Sequence, residues 1–140
     1  MENRIYFLDK SKDFELAHKL YELVVGEFTI NRKIAVFGKS CDSKENFDVF
    51  VCEFGADTSA FSEVCTYSVG QSNADVCGFN FQKREKSKSL DLFCGNSMGR
   101  VNLPLDSRFT EISVLYCTAG LVAAGIPLPQ ILKAINSKLS

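Results

Sequence analysis

Histidine is nearly missing: the 140-residue chain holds one, His18. Nucleophilic triads and many metal sites draw on histidine, so its scarcity narrows the chemistry open to the chain. His18 stands alone near the border of an apolar helical stripe, a placement more typical of packing or surface than of catalysis. Paired cysteines are missing too. None of the six, Cys41, Cys52, Cys65, Cys77, Cys94 and Cys117, forms a C-x-x-C pair, and five of them sit inside apolar strand-like or helix-like runs. Zinc sites and disulfide frameworks announce themselves by tighter spacing or by secretion, so buried, reduced thiols acting as small hydrophobes are expected. An excess of one charge is also lacking, because 16 basic residues face 17 acidic ones for a net charge of −1. A broad basic surface for nucleic acid is thereby excluded. No apolar run approaches the roughly 20 residues needed to cross a bilayer. The opening MENRIYFLDK lacks the apolar core and cleavage site of a signal peptide. The expectation is a cytoplasmic protein that binds neither nucleic acid nor membrane.

No internal repeat, low-complexity stretch or second domain interrupts residues 1–140. A single domain of this length buries roughly two-thirds of its unfolded surface. Arg4–Leu8 (RIYFL) reads as a first strand. Asp9 and Ser11 are candidate caps for a helix over about Lys12–Glu27, whose apolar positions Phe14, Leu16, Ala17, Leu20, Leu23, Val24 and Phe28 form a wide buried stripe. Lys33–Phe37 (KIAVF) and Asp48–Phe54 (DVFVCEF) are buried strands, separated by the polar, turn-like Cys41–Phe47. Asp57–Glu63 reads as a short helix or turn, and Val64–Val69 as another strand. Asp75–Phe81, Ser89–Cys94 and Arg100–Leu103 follow as an antiparallel meander whose connections are a charged loop and a glycine turn. The basic run Lys83–Lys88 is most simply a solvated hairpin tip.

The stretch Leu103–Leu132 organises the rest. Apolar residues recur at Phe109, Ile112, Leu115, Tyr116, Ala119, Val122 and Ala123, the three-and-four spacing of a helical face. Ala119, Gly120, Ala123 and Ala124 are small enough for close approach to a sheet. Asp106 and Ser107 are candidate caps, Gly125 a left-handed stop, and Pro127 a barrier to continuation before a second helix over about Pro129–Lys138. Strands at the front, a meander and late helices indicate an α/β domain: a mixed sheet in a small three-layer-like arrangement with C-terminal helices. Periodicity leaves the strand order open.

Two polar features point toward chemistry. Gly38-Lys39-Ser40 follows a buried strand and matches the end of the phosphate-binding loop of many nucleotide enzymes. Such a loop also needs an upstream glycine, and the position five before Gly38 is Lys33. A plain turn after a strand is the competing reading. Glu53 ends the next strand, where a carboxylate suits a hard cation or simply meets solvent.

A strand ending in Leu103-Pro104-Leu105, an Arg108-Phe109 pair, an alanine-rich helix and Gly125-Ile126-Pro127-Leu128 together resemble the end of the middle, ATP-binding domain of Mur ligases. The likeness extends back through Val64–Val69 and Ala74–Phe81. These ligases join amino acids to UDP-N-acetylmuramoyl precursors of the bacterial cell wall using ATP. The resemblance implies nucleotide contacts at Gly38, Lys39, Ser40 and Arg108, and a magnesium contact at Glu53. It also shows what has gone. The family's Gly-Thr-x-Gly-Lys-Thr/Ser loop is present with its first half removed. The segment that carries an Asp-His pattern and a carbamylated lysine is missing after Gly55. Thr110 and Ser113 stand where the family has asparagines.

The resulting expectation is a truncated, non-catalytic Mur-ligase-like domain with a binding or interaction role, no catalytic residues, and a possible nucleotide or UDP-sugar ligand. The alternative is a component of an ATP-dependent amide ligase that keeps Lys39 and Glu53 for ATP and magnesium. A shortened sheet leaves an apolar face or strand edge to cover, and few charges guard Lys33–Phe37 or Asp48–Phe54, so a homodimer or a protein partner is expected.

Overall fold

Capping decides where the helices start. In the computed structural model, which describes residues 4–43 and 45–139, Ser11 Oγ accepts from the Phe14 N–H at 3.3 Å and opens α1 (Lys12–Val24), extended by a 3₁₀ turn at Val25–Glu27. Met1–Asn3 of the segment read for a signal peptide, Lys44 within the turn-like Cys41–Phe47, and Ser140 lie outside the described residues. The helix α2 (Glu111–Ala123) is capped by Thr110, not by Asp106 or Ser107. Thr110 Oγ1 accepts from the Ser113 N–H at 3.1 Å while Ser113 Oγ accepts from the Thr110 N–H at 3.0 Å, a reciprocal box. Ser107 belongs instead to the preceding turn, where its hydroxyl accepts from the Phe109 N–H at 3.2 Å. Gly125, at φ +92°, ends α2 in the left-handed conformation, and α3 (Leu128–Leu139) begins directly after Pro127.

The strands are β1 (Ile5–Phe7), β2 (Ile34–Val36), β3 (Val49–Glu53), β4 (Val64–Val69), β5 (Val76–Lys83), β6 (Ser87–Cys94) and β7 (Ser97–Pro104). They lie side by side in chain order in one seven-stranded sheet. From β1 to β5 every pairing is parallel, and β5–β6–β7 is the expected antiparallel meander. The stretch Asp57–Glu63 is a turn closed by the Phe61 N–H on the Thr58 carbonyl at 3.0 Å rather than a helix. Lys88 is not part of the hairpin tip: it is buried in β6, and its Nζ donates to the Ser107 carbonyl at 3.1 Å.

Parallel neighbours usually need a crossover of a dozen or more residues. Among the described residues only β1 and β2 are joined through an α-helix, and residues 70–75 link β4 to β5. The short return works because β5 enters beside Tyr67, halfway along β4, rather than at its start. Asp75 Oδ2 secures it by accepting from the Thr66 N–H at 2.9 Å and the Thr66 hydroxyl at 3.2 Å.

The register places Ile5, Ile34 and Val49 in one row, and Phe7, Val36 and Val51 in the next, on the same face. This face carries the helices. Gly120 on α2 comes so near that an added Cβ would sit 3.1 Å from Ile5 Cγ2 and 3.3 Å from Val36 Cγ2. Ala119 is fully buried beside it, as the helical spacing predicts. A parallel sheet must also be covered on its second face. Over β1–β3 that cover comes from aromatic rings: Phe61 stacks on Phe50 at 4.2 Å, and Phe47 meets Tyr6 and Phe50 edge-on, each at 5.7 Å. The strands β2 and β3, expected to leave an edge unguarded, are interior. The edges are the three-residue β1 and β7, and Asn136 of α3 closes part of the latter by accepting from the Asn102 N–H at 3.2 Å and donating to the Arg100 carbonyl at 3.0 Å. Among the described residues no helix is long and apolar enough to cross a membrane.

Candidate functional site

Open α/β sheets bind ligands beyond the carboxyl ends of their parallel strands. At that end of β1–β4 lies a cleft of ≈ 450 Å³. The loop after β1 contributes Asp9, the loop after β2 Gly38, Lys39 and Ser40, the end of β3 Glu53, and β4 Tyr67. The start of α1 adds Ser11 and Phe14, and α2 adds Tyr116. Four of the residues singled out in the sequence, Gly38, Lys39, Ser40 and Glu53, therefore share one cleft. Arg108 does not line it; its guanidinium lies exposed over the ring of Phe109, 4.8 Å from the centroid.

The backbone of Gly38 is already engaged at both ends. The Gly38 N–H donates to Asp9 Oδ2 at 3.0 Å, and the Gly38 carbonyl accepts from the Glu53 N–H at 2.9 Å. A Cβ at position 38 would stand 2.9 Å from Asp9 Oδ2, so any larger residue would displace this carboxylate. Gly38 does not take the left-handed conformation that an anion-binding nest alternates with its right-handed neighbours. Asp9, read in the sequence as a helix cap, acts instead as the acceptor for this turn, while Ser11 alone caps α1.

The wall is aromatic. Tyr67, buried, donates its hydroxyl to the Phe37 carbonyl at 2.8 Å. Its ring meets Tyr116 edge-on at 5.1 Å, and Tyr116 stacks on Phe14 at 4.2 Å. Burial pushes both phenols above their ordinary range. The nearby carboxylates act in the same direction: Glu53 and Asp9 on Tyr67, and Asp13, Glu53 and Asp9 on Tyr116. Further negative charge is thus disfavoured in this corner. Neither tyrosine was read as a site residue from the sequence, where Tyr116 counted only as an apolar position of the helical face. The available signal was the alternation of VCTYSV, which puts Tyr67 on the same face as Cys65.

Magnesium commonly uses one or two carboxylates together with substrate phosphates. The cleft offers Asp9 and Glu53, but Asp9 is engaged by Gly38, whose N–H is thereby withdrawn from any phosphate beside them. Among the described residues no group of three or more His, Cys, Asp or Glu side chains is arranged to hold a metal ion. The donor set does not fit a magnesium–triphosphate pair. His18 is half-exposed on α1, its Nε2 3.4 Å from Glu22 Oε1, and it does not line the cleft. All six cysteines are free thiols, and burial pushes Cys52, Cys65, Cys94 and Cys117 toward the protonated form, Cys65 to about 12.

A curled mixed sheet with helices on one face and a cleft at its parallel carboxyl ends makes an α/β domain, and solved structures of Mur ligases share that fold. A MurF from Acinetobacter baumannii superimposes with a TM-score of 0.56 over 92% of this chain at 11% identity, and a second crystal structure of it with 0.52 over 76% at 13% identity. A UDP-N-acetylmuramoyl-L-alanyl-D-glutamate–2,6-diaminopimelate ligase matches with a TM-score of 0.50 over 86% at 17% identity. The chain spans only 29–32% of the length of these proteins. No known sequence family matches the chain. No curated protein matches it in sequence.

Proposed function

We propose that the chain is a non-catalytic, Mur-ligase-like binding domain, linked to bacterial cell-wall precursor metabolism by its fold. One observation carries this reading: the Gly38 N–H, which a phosphate loop would present to its ligand, is held by Asp9 within the protein. Phosphoryl transfer depends on positioning and charge neutralisation, and here Lys39 faces the cleft with two carboxylates, Asp9 and Glu53. Calorimetric titration with ATP and magnesium tests the proposal, with no saturable heat and no ATP turnover expected. Micromolar binding or turnover that disappears in Lys39→Ala would overturn it in favour of the alternative, an ATP-dependent ligase component. The gathering of Gly38, Lys39, Ser40 and Glu53 in one cleft favours that second reading.

The proposal includes association, as a homodimer or with another protein. With one edge strand short and the other partly closed by Asn136, exposed apolar side chains are the better candidates for contact; Met98 leaves 63% of its surface exposed and Val69 51%. Light scattering coupled to size exclusion at micromolar concentration checks this part, and a strict monomer with no captured partner counts against it.

A further inference from the structure

A second and larger cavity, of ≈ 930 Å³, opens at the opposite end of the sheet, where β3 and β4 begin and α2 ends. Its volume falls at the upper end of the range of about 300–1,000 Å³ that small-molecule sites occupy. Nothing in the Mur-ligase-like reading of the cleft uses it. Three thiols, Cys65, Cys77 and Cys94, line it together with Phe79, Phe93 and Val122. The two phenylalanine rings meet edge to face at 5.4 Å. A register shift between Phe79 and Gln82, with Asn80 at φ +54°, marks a bulge in β5 at this wall.

The charged groups around the cavity are spent within the protein. The Arg32 guanidinium pairs with the Glu63 carboxylate and also donates to the Ala123 carbonyl at 3.3 Å. Asp75 accepts from both the N–H and the hydroxyl of Thr66. Burial holds the Cys65 and Cys94 thiols protonated, and Asp75 raises both further. A charged ligand would find no unspent countercharge among these groups, whereas a flat apolar one gains ring contacts and polarizable sulfur.

We propose that this cavity, lined by the Phe79–Phe93 wall, by Cys77 beside it in the register, and by Cys65 and Cys94, is a binding site for a small, flat, uncharged apolar molecule. The probe is N-phenyl-1-naphthylamine, an uncharged fluorophore that brightens in apolar surroundings, titrated into the full chain. The expected result is a saturable rise with one site per chain, together with slower alkylation of Cys94 by N-ethylmaleimide when the probe is bound. Ala74→Phe, on the cavity's lining, is expected to weaken binding about tenfold or more, while a matched bulky change at exposed Lys19 on α1, Lys19→Phe, leaves it unchanged. Should Ala74→Phe alter the melting profile, Ser72→Trp serves as the second filling variant. No saturable rise, or equal binding by wild type and a folded filling variant, overturns the proposal. Because neither readout involves nucleotide, failure here is distinguishable from failure of the cleft reading.

Discussion

The two faces of the sheet are covered by different means. On one, the helix α2 lies so close to the strands that a side chain at Gly120 would press on Ile5 and Val36, and the buried residues there come from all three α-helices and every strand. On the other, Phe47 and Phe61 from irregular connections close over Phe50 and Tyr6. A helix brings a regular stripe whose side chains interdigitate along its whole length, whereas a loop contributes single rings at isolated points. The helical face therefore tolerates change poorly, and the loop-covered face yields locally.

This contrast can be broken most directly at Ala119. Ala119→Asp would place an unpaired carboxylate where the native side chain has no exposure, and a loss of several kcal/mol, enough to unfold a marginal domain, is expected in thermal melts. An unchanged melting temperature would mean that the helical face is not the core. Next in size is Gly120→Val, which drives new methyls into Ile5 and Val36; overpacking of this kind costs about 1–3 kcal/mol, and urea titration reads it.

On the opposite face, Phe61→Ala removes a stacked ring from Phe50. The expected loss is smaller, about 1–2 kcal/mol, with hydrogen exchange quickening in residues 55–63 while α2 amides keep their protection. Equal exposure of both regions would show that the loop cover is as integral as the helix.

The smallest effect concerns acid. Hydrogen bonds from Arg100 and from Asn80 hold the Asp91 carboxyl below the usual carboxylate range. A depressed folded value means that its stabilisation is complete above the unfolded pKa, about 3.9, and fades as pH falls through the folded value. Asp91→Asn should therefore flatten the acid limb of a stability-against-pH curve below about pH 4 and change little at neutral pH beyond the loss of the ion pair itself. An acid limb identical to wild type would assign that pH dependence to other carboxylates.

Much of the fold was legible because the signals are local. Strand runs such as KIAVF and VCTYSV, the spacing of Phe109 to Ala123, and Gly125 as a stop all depend on residues within a few positions of one another, and each element forms where its pattern lies. The cap of α2 was misplaced because Asp106, Ser107 and Thr110 all carry suitable oxygens; only the reciprocal bond with Ser113 selects Thr110. The Gly-Lys-Ser turn and Glu53 were visible as residue types, and their meeting in one cleft followed from β2 and β3 pairing in parallel. Tyr67 and Tyr116 stayed hidden because aromatic residues in apolar runs look like ordinary core.

The sequence by itself determined the elements, their order along the chain and the small-residue face of α2, since propensity, periodicity and capping are written in neighbouring residues. Tertiary structure alone decided that strands β1–β5 run parallel in chain order, that Asp9 closes on Gly38 across 29 positions, and that three thiols from three different strands line one cavity. Those outcomes depend on which distant backbones come within hydrogen-bonding reach, and no local pattern encodes that.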